Sequence, residues 1–318
     1  MTNPYLRPQG QPMIYGHRGA RGVLPENTLE GFQYLRSIGI EAVEFDVQNA
    51  AGGVPVVVHD PHMPAQIARD VHGNWLTEPG EKICTLSVES LQSFDMGRLN
   101  PAHSYGTRYP AQAAVDGARI PTLQEVLEWA QQDSPLILNI EIKSYAHRSD
   151  LGDSPAVLVA NVVRALDQSG LRGQALISSF DWRVLSELRR VAPDIDRAYL
   201  SLVKLAPEHT IFEGSPWMDR LSLAAYDGNL PRLIAAQGAR CWCPYHKDVT
   251  SEEVAQAHAL GLAVNVWTVN DPGDMRAMIA MGVDGIITDL PELLQEVLAQ
   301  HADLPAWSAL RSTGQSEG

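Results

Sequence analysis

Two carboxylates, two residues apart, lie in an apolar run that is typical of a β-strand. Glu44 and Asp46 occupy alternate positions of the segment Val-Glu-Phe-Asp-Val, so both side chains project from the same face of the strand. His17 ends the apolar run before this strand, and His59 ends the apolar run after it. Two carboxylates with two imidazoles indicate a metal site with acid–base groups beside it.

A third carboxylate belongs to the same pattern. Glu141 and Lys143 share one face of the strand-like segment 136–143. The three carboxylates, Glu44, Asp46 and Glu141, are hard oxygen ligands that suit Mg²⁺ or Ca²⁺ rather than zinc. Burying them together costs on the order of several kcal/mol unless a cation compensates. The sequence therefore predicts a divalent cation; solvent-exposed charge, or an internal ion pair with Lys143, is the alternative.

Other side chains fit a phosphate substrate. One of His17 and His59 can take a proton while the other gives one, as a phosphate or acyl leaving group requires. Arg18 and Lys143 could hold two phosphate oxygens, although a surface salt bridge is the alternative for Arg18. If the face of Trp267 points inward, this residue forms an apolar wall of the pocket; core packing without ligand contact is the alternative.

The strand that carries the first two carboxylates is predicted to form a hairpin. Only seven residues separate Asp46 from the next apolar run, and a parallel crossover needs about a dozen or more. A turn centred on residues 50–53 would place Gln48 opposite Pro55 and Glu44 opposite His59. The hairpin would then return His59 to the level of the carboxylates.

The rest of the chain alternates strand and helix patterns. Asn27 followed by Glu30 is a capping-box pattern, which predicts that Asn27 begins the first helix. Without the return strand of the hairpin we count eight strands, and this count predicts a TIM barrel, a closed parallel (β/α)8 barrel with its active site at the carboxyl ends of the strands. Near the end of the chain, Asp289 is interpreted as a helix-entry residue.

Domain organisation follows from the same pattern. We expect residues 1–318 to form a single TIM-barrel catalytic domain. Residues 61–120 show little periodicity, and a long irregular segment in a compact domain is usually functional. We therefore interpret 61–120 as an insertion that follows His59 and Asp60 and caps the active site. The end of the chain, 302–318, is expected to be a flexible tail.

Composition excludes several classes of protein. The formal charge of −14 leaves no basic stripe to meet phosphate chains, which argues against a nucleic-acid partner. No apolar run approaches the length of a membrane span, and the first residues lack an apolar signal core. Three cysteines are too few for a disulfide framework. We expect a cytoplasmic protein that acts on a small molecule.

Short motifs in a fixed order resemble the glycerophosphodiester phosphodiesterase family. The resemblance covers most of the chain and rests on His17-Arg18-Gly19, Pro25-Glu26-Asn27-Thr28, Glu44-Phe45-Asp46-Val47, His59-Asp60, Glu141-Ile142-Lys143, Ser179-Phe180, Trp267-Thr268-Val269-Asn270 and the ending from Gly282 to Asp289.

The resemblance implies a complete set of roles. It implies a TIM barrel that hydrolyses glycerophosphodiesters, such as glycerophosphocholine, to glycerol 3-phosphate and an alcohol. A divalent cation, Mg²⁺ or Ca²⁺, would stabilise charge on the phosphate oxygens. The implied roles are general acid and base for His17 and His59, metal ligation for Glu44, Asp46 and Glu141, and phosphate contact for Arg18 and Lys143.

Several alternatives stay open at this point. A related barrel phosphodiesterase of the sphingomyelinase D type would act on lysophospholipids, and a non-catalytic barrel would only bind a phosphorylated ligand. Direct attack by water and a cyclic phosphate intermediate are both compatible with the residues. Residues 61–120 also lack the Arg-Thr-Thr-containing, glycine-rich segment common in the family after the His-Asp motif, and this difference leaves the head-group preference open.

Overall fold

The computed structural model describes residues 3–132, 135–204 and 210–302 of the chain. Eight parallel strands follow one another around a closed barrel, because the first strand pairs with both the second and the last. The predicted TIM barrel is thus confirmed. The strands are β1 Met13–His17, β2 Ala42–Asn49, β3 Pro55–Val57, β4 Ile137–Ile142, β5 Ala175–Ser179, β6 Asp196–Ser201, β7 Cys241–Pro244, β8 Ala263–Val266 and β9 Gly285–Thr288; β3 is the antiparallel addition to β2.

Helices connect most of the barrel strands and cover the outside of the sheet. Several begin at a side-chain cap: Thr122 forms a capping box with Glu125 at the start of the helix Leu123–Ala130, and Asp271 accepts hydrogen bonds from two backbone N–H groups at the start of the helix Pro272–Met281. The helices are α1 Leu29–Ser37, α2 Val88–Gln92, α3 Leu123–Ala130, α4 Pro155–Ser169, α5 Trp182–Val191, α6 Leu230–Ala236, α7 Ser251–Ala259, α8 Pro272–Met281 and α9 Pro291–Ala302.

The main core lies between the barrel and these helices. Phe45 on β2 points outward from the barrel, and the ring of Phe32 on α1 lies 5.5 Å from it. The Phe32 ring lies 5.6 Å from Trp129 on α3. Each large apolar side chain buried in this way contributes about 1.5–3 kcal/mol to folding. Because successive strand residues alternate, the outward position of Phe45 directs its neighbours Glu44 and Asp46 into the barrel.

The hairpin forms as expected, but its register differs from the prediction by one residue. Gln48 pairs with Val56 rather than with Pro55. The loop has three residues, 51–53, and both Gly52 and Gly53 have positive φ, a conformation that glycine adopts without steric cost. The loop covers residues 51–53 instead of the predicted 50–53, and this difference shifts the pairing by one residue. The predicted opposition of Glu44 and His59 was therefore wrong in detail.

Residues 61–120 have a small apolar core of their own beside the barrel. Val56 and Val58 of the hairpin segment pack with residues from this insertion, and α2 lies within it. The buried members contributed by the insertion are Met63, Ile67, Ala68, Ile83, Leu91, Met96 and Ile120. This second core fixes the insertion on the side of the barrel where His59 leaves the hairpin.

The described residues include no helix with the length and apolar character needed to cross a membrane. The predicted tail, 302–318, lies outside the described residues except for Ala302, at which α9 ends.

Candidate active site

Strand register brings the predicted residues to one level of the barrel. On the parallel pair β1–β2, His17 lies opposite Glu44. On the next pair, β2–β4, Asp46 lies opposite Glu141. Glu44 and Asp46 lie within β2 rather than at its end, because β2 continues beyond the barrel to pair with β3. Four side chains from three adjacent strands therefore face the same space.

The three predicted metal ligands form a compact cluster. One carboxylate oxygen from each of Glu44, Asp46 and Glu141 lies within 4.8 Å of the other two. All three residues are buried. Burial, together with the charges of Asp46 and Glu141, raises the pKa of Glu44 well above its ordinary value. Three converging, desolvated carboxylates have the chemistry that Mg²⁺ or Ca²⁺ requires, so this donor set fits a hard divalent cation.

Two cations balance part of this negative charge. Lys143 Nζ lies 2.8 Å from Glu141 Oε1 and 3.5 Å from Asp46 Oδ1. Arg18 Nη1 donates to Glu26 Oε1 at 2.8 Å, and its Nε lies 3.3 Å from Asp46 Oδ2. Burial alone would raise the pKa of Asp46, but the charges around it lower the pKa below its usual range. Arg18 is buried, which excludes the surface salt bridge considered for it.

Asn27 has a different position from the one predicted. The N-cap of α1 is Thr28, whose hydroxyl accepts from Gly31 N–H. Asn27 adopts a left-handed backbone conformation with φ of 54°, which asparagine tolerates better than most residues. Its side-chain amide donates to Asp46 Oδ2 at 3.0 Å. Asn27 therefore orients a carboxylate of the cluster instead of capping the helix.

His17 is held by a buried aspartate from the far end of the chain. Its Nδ1 lies 2.7 Å from Asp289 Oδ1, and its Nε2 lies 3.8 Å from Glu44 Oε2. Burial, reinforced by the charge of Arg21, lowers the pKa of His17 to about 4, although Asp289 opposes this shift. The imidazole is therefore neutral near pH 7.

Asp289 is the centre of this network and not a helix-entry group. Its carboxylate accepts from Arg21 Nε at 2.8 Å, from Asn270 Nδ2 at 2.6 Å and from the Tyr109 hydroxyl at 2.9 Å. Burial would raise its pKa, but His17 and Arg21 lower the pKa below its usual range. Asp289 stays ionised, so it accepts a hydrogen bond from His17 Nδ1–H, and Nε2 of the neutral ring is unprotonated.

His59 is also paired with an aspartate. Its Nδ1 lies 2.6 Å from Oδ1 of the adjacent Asp60. Burial alone would raise the pKa of Asp60, but the hydrogen bonds from His59 and Gln66 and the charges of His59 and Arg18 together lower it to about 2. Gln48 Nε2 donates to the Asp60 carbonyl at 2.8 Å and so fixes the backbone at this point. In both histidines, therefore, Nδ1 is paired with an aspartate, and Nε2 is the ring nitrogen left outside these pairs.

A cavity of about 350 Å³ joins these groups. His17, His59, Glu44, Glu141 and Lys143 all contribute to its wall. The shifted hairpin register therefore still delivers His59 to the cavity that contains the carboxylates.

A second cavity of about 320 Å³ opens beside the first. The two cavities share Glu141, Lys143, Phe180 and Trp267. Trp267 donates its indole N–H to the Cys243 carbonyl at 2.9 Å, and its ring lies 5.2 Å from that of Phe180. The aromatic residues that line the second cavity are Tyr145, Phe180, Trp217, Tyr245 and Trp267. Trp267 is thus a wall of the pocket.

The family model described as "Glycerophosphoryl diester phosphodiesterase family" matches residues 17–293. The chain belongs to this family. The resemblance inferred from the motifs is therefore confirmed, and so is the enzyme class, a phosphoric diester hydrolase. Family membership also removes the reading of the barrel as a binding module without catalytic activity.

Relatives agree over nearly the whole chain. A glycerophosphodiester phosphodiesterase of Caldanaerobacter subterraneus subsp. tengcongensis is 28% identical over 282 residues, which cover 89% of this chain and 96% of the relative. A candidate glycerophosphoryl diester phosphodiesterase from Silicibacter pomeroyi has a solved structure that is 39% identical, with a TM-score of 0.82, covering 93% of this chain and 96% of that one.

A more distant structure shares the fold. The phosphodiesterase of Oleispira antarctica, solved with its product sn-glycerol 3-phosphate, is 24% identical with a TM-score of 0.66 and covers 91% of this chain and 97% of that one.

Sequence reasoning missed Asp289 and Arg21 as parts of the site. The signal for Asp289 was its position directly after an apolar run, the same signal that identified His17 and His59. Arg21 lies in an irregular segment whose direction no periodicity predicts.

Proposed function

We propose that this protein hydrolyses glycerophosphodiesters to glycerol 3-phosphate and an alcohol by acid–base catalysis between His17 and His59, with a divalent cation held by three carboxylates. The observation that supports it most directly is the shared cavity, which contains both imidazoles together with Glu44 and Glu141. Binding a phosphorylated ligand alone needs no pair of proton-transfer groups.

His17 is suited to be the general base. Its low pKa keeps the ring neutral, and the hydrogen bond to Asp289 holds the proton on Nδ1. The lone pair of Nε2 is then free to take a proton from the attacking hydroxyl, whether that of water or of the substrate's own glycerol. Asp289 stabilises the imidazolium that forms.

His59 is suited to be the general acid. Its Nδ1 is hydrogen-bonded to Asp60, whose carboxylate stabilises a positive ring. The side chain is about one-third exposed, so it can exchange protons with solvent between turnovers. In its protonated form it donates to the leaving alkoxide oxygen, which departs as an alcohol.

The residues that would hold the cation are Glu44, Asp46 and Glu141. A bound Mg²⁺ or Ca²⁺ stabilises negative charge on the phosphate oxygens of its substrate. Asn27 fixes the orientation of Asp46 by its hydrogen bond, and Arg18 N–H donates to Glu44 Oε2 at 3.0 Å. These hydrogen bonds hold the carboxylate oxygens of Asp46 and Glu44 in position without a bound ligand.

Substrate binding involves the remaining predicted residues. Arg18 and Lys143 keep positive charge beside the carboxylates and favour a phosphate anion there. Trp267 and Phe180 form the boundary between the two cavities. We propose that these two rings contact the carbon skeleton of the substrate.

We further propose that residues 61–120 cap the site within a single catalytic domain. The cytoplasmic location expected from the sequence stays a prediction.

The decisive experiment measures release of glycerol 3-phosphate from a panel of glycerophosphodiesters, with and without Mg²⁺ or Ca²⁺. Lysophosphatidylcholine belongs in the panel, because a sphingomyelinase D-like enzyme would prefer it. We expect turnover of glycerophosphodiesters that stops when EDTA removes the cation. Preferential turnover of the lysophospholipid would favour the alternative, and full activity in EDTA would contradict the metal site.

A further inference from the structure

The segment 105–109 of the insertion is attached to the catalytic network at two points. The Tyr105 hydroxyl donates to Glu26 and accepts from Arg21 Nη1 at 3.1 Å. The Tyr109 hydroxyl donates to Asp289 Oδ2 at 2.9 Å. The two rings contact each other edge to face, with centroids 6.0 Å apart. This segment is therefore fixed against the site although it lies in an irregular part of the chain.

The side chain between these two anchors is a cation. Arg108 donates its backbone N–H to the Tyr105 carbonyl at 3.1 Å, and its guanidinium lies 5.6 Å from the centre of the Tyr105 ring. The residue is exposed and lines the catalytic cavity. The two tyrosines thus hold an arginine over the cavity from the insertion side.

Arg108 differs from the other arginine and lysine side chains of this cavity. Arg18 pairs with Glu26 and Asp46, Arg21 with Asp289, and Lys143 with Glu141. Within the described part of the chain, no carboxylate pairs with Arg108, and its guanidinium contacts only the Tyr105 ring face. Its charge and its planar set of N–H donors are therefore available to an anionic ligand.

We propose that Arg108 forms an anion subsite that binds a phosphoryl or carboxylate oxygen of the substrate. The proposal rests on the proposed function for the identity of the substrate. The insertion contributes the subsite, and Tyr105 and Tyr109 position it. The oxygen belongs either to the phosphodiester that reacts or to an anionic group on the departing alcohol, since the chemistry of recognition is the same.

Steady-state kinetics of Arg108→Gln test the proposal. We expect KM for the preferred glycerophosphodiester to rise about tenfold, the effect of losing one charge-assisted contact, with kcat changed less than twofold. Arg108→Lys should recover part of the loss, because it restores the charge without the planar donors. The matched control is Arg98→Gln, which removes an exposed arginine of the same insertion that pairs with Asp116; its KM should equal that of the wild type.

Three head groups locate the anion. Glycerophosphoserine carries an additional carboxylate, glycerophosphoglycerol is neutral beyond its phosphate, and glycerophosphocholine is cationic there. An equal rise in KM for all three assigns Arg108 to the reacting phosphodiester; a rise confined to glycerophosphoserine assigns it to the head group. Unchanged KM for all three, with the folded state intact by thermal unfolding, overturns the subsite.

A binding measurement separates this proposal from the proposed function. Calorimetric titration of the protein with glycerol 3-phosphate, and separately with inorganic phosphate, requires no turnover. If the protein turned over none of the diesters, a weaker affinity for these anions in Arg108→Gln than in Arg98→Gln would still support the subsite. Equal affinities in the two variants for these anions, and also for glycerophosphoserine, would contradict it.

Discussion

Nδ1 of His17, at the end of the first barrel strand, lies 2.7 Å from Oδ1 of Asp289, the residue that follows the last one. Barrel closure makes this contact, because β1 pairs directly with β9 across a separation of 272 residues in sequence. His59 repeats the arrangement with Asp60 at 2.6 Å. The site therefore contains two histidine–aspartate pairs, one formed by tertiary structure and one by adjacent residues.

Both histidines should be essential to turnover. His17→Ala and His59→Ala remove the general base and the general acid, so each should lower kcat by roughly 10²–10⁴-fold. The measurement is glycerol 3-phosphate release at saturating substrate. His72→Ala is a suitable control, because His72 is an exposed histidine of the insertion. Near-normal kcat in either active-site variant would contradict the assignment.

Asp289→Asn should impair His17 without removing it. The amide cannot stabilise an imidazolium, and it no longer selects the tautomer with the proton on Nδ1; we expect kcat to fall on the order of 10²- to 10⁴-fold. The pKa of His17 should fall further, because Asp289 raises it in the wild type.

A buried aspartate elsewhere controls for loss of stability. Asp181 is fully buried and pairs with Arg183, so Asp181→Asn should destabilise the fold comparably while leaving the His17 titration in place. If both variants lost activity in proportion to their stability, Asp289 would have a structural role only.

The carboxylate cluster should bind a divalent cation. Glu44→Gln removes one ligand charge, so calorimetric titration with Mg²⁺ or Ca²⁺ should show a large loss of affinity, and turnover should no longer respond to added cation. The control is Glu81→Gln, an exposed glutamate of the insertion. Cation affinity that was the same in both variants would exclude Glu44 as a ligand.

Asn27→Ala tests the side chain that orients Asp46 in the carboxylate cluster. Loss of the hydrogen bond to Asp46 should weaken cation affinity by about 10- to 100-fold, the usual effect of removing a partner that orients a ligand. Asn161→Ala, on the surface of α4, is the matched control. Because Thr28 and not Asn27 caps α1, no helix cap is lost, and the left-handed backbone at residue 27, which alanine tolerates less well than asparagine, should lower thermal stability only modestly. A large loss of stability with normal cation affinity would indicate a structural role for Asn27.

The two environments of histidine should be visible by NMR. His17 should titrate near pH 4, since burial lowers its pKa to about 4. His258 should titrate above the ordinary histidine pKa of 6.5, since its hydrogen bond with Asp284 raises the pKa, and it is an internal reference in the same spectra. A His17 titration near 6.5 would contradict the neutral base.

The same shift makes folding depend on pH. His17 binds a proton more weakly in the folded protein than in the unfolded chain, whose ordinary histidine pKa is 6.5. This residue should therefore reduce the free energy of unfolding as the pH falls from about 6.5 towards 4. Denaturant melts of His17→Ala, which cannot gain this proton, should lack that part of the pH dependence.

Local patterns were sufficient to predict the barrel and the residues of its interior face. Alternation in β2 places Glu44 and Asp46 on one side and Phe45 on the other, and this geometry holds whatever packs around the strand. The strand and helix count then determined the fold class, because parallel strands with helical crossovers close in few ways. The hairpin was predicted too, but its register depended on a three-residue loop that the sequence leaves ambiguous.

Only the tertiary structure decided which partners the polar residues have. The sequence predicts a helix cap at Asn27 because it shows the neighbours of this residue in the chain and not Asp46, which contacts it across 19 positions. The interpretation of Asp289 as a helix-entry residue fails for the same reason. The sequence by itself determined the chemistry of the candidate ligands and bases; barrel closure decided their distances, burial and protonation, because these depend on groups that meet only after the chain has folded.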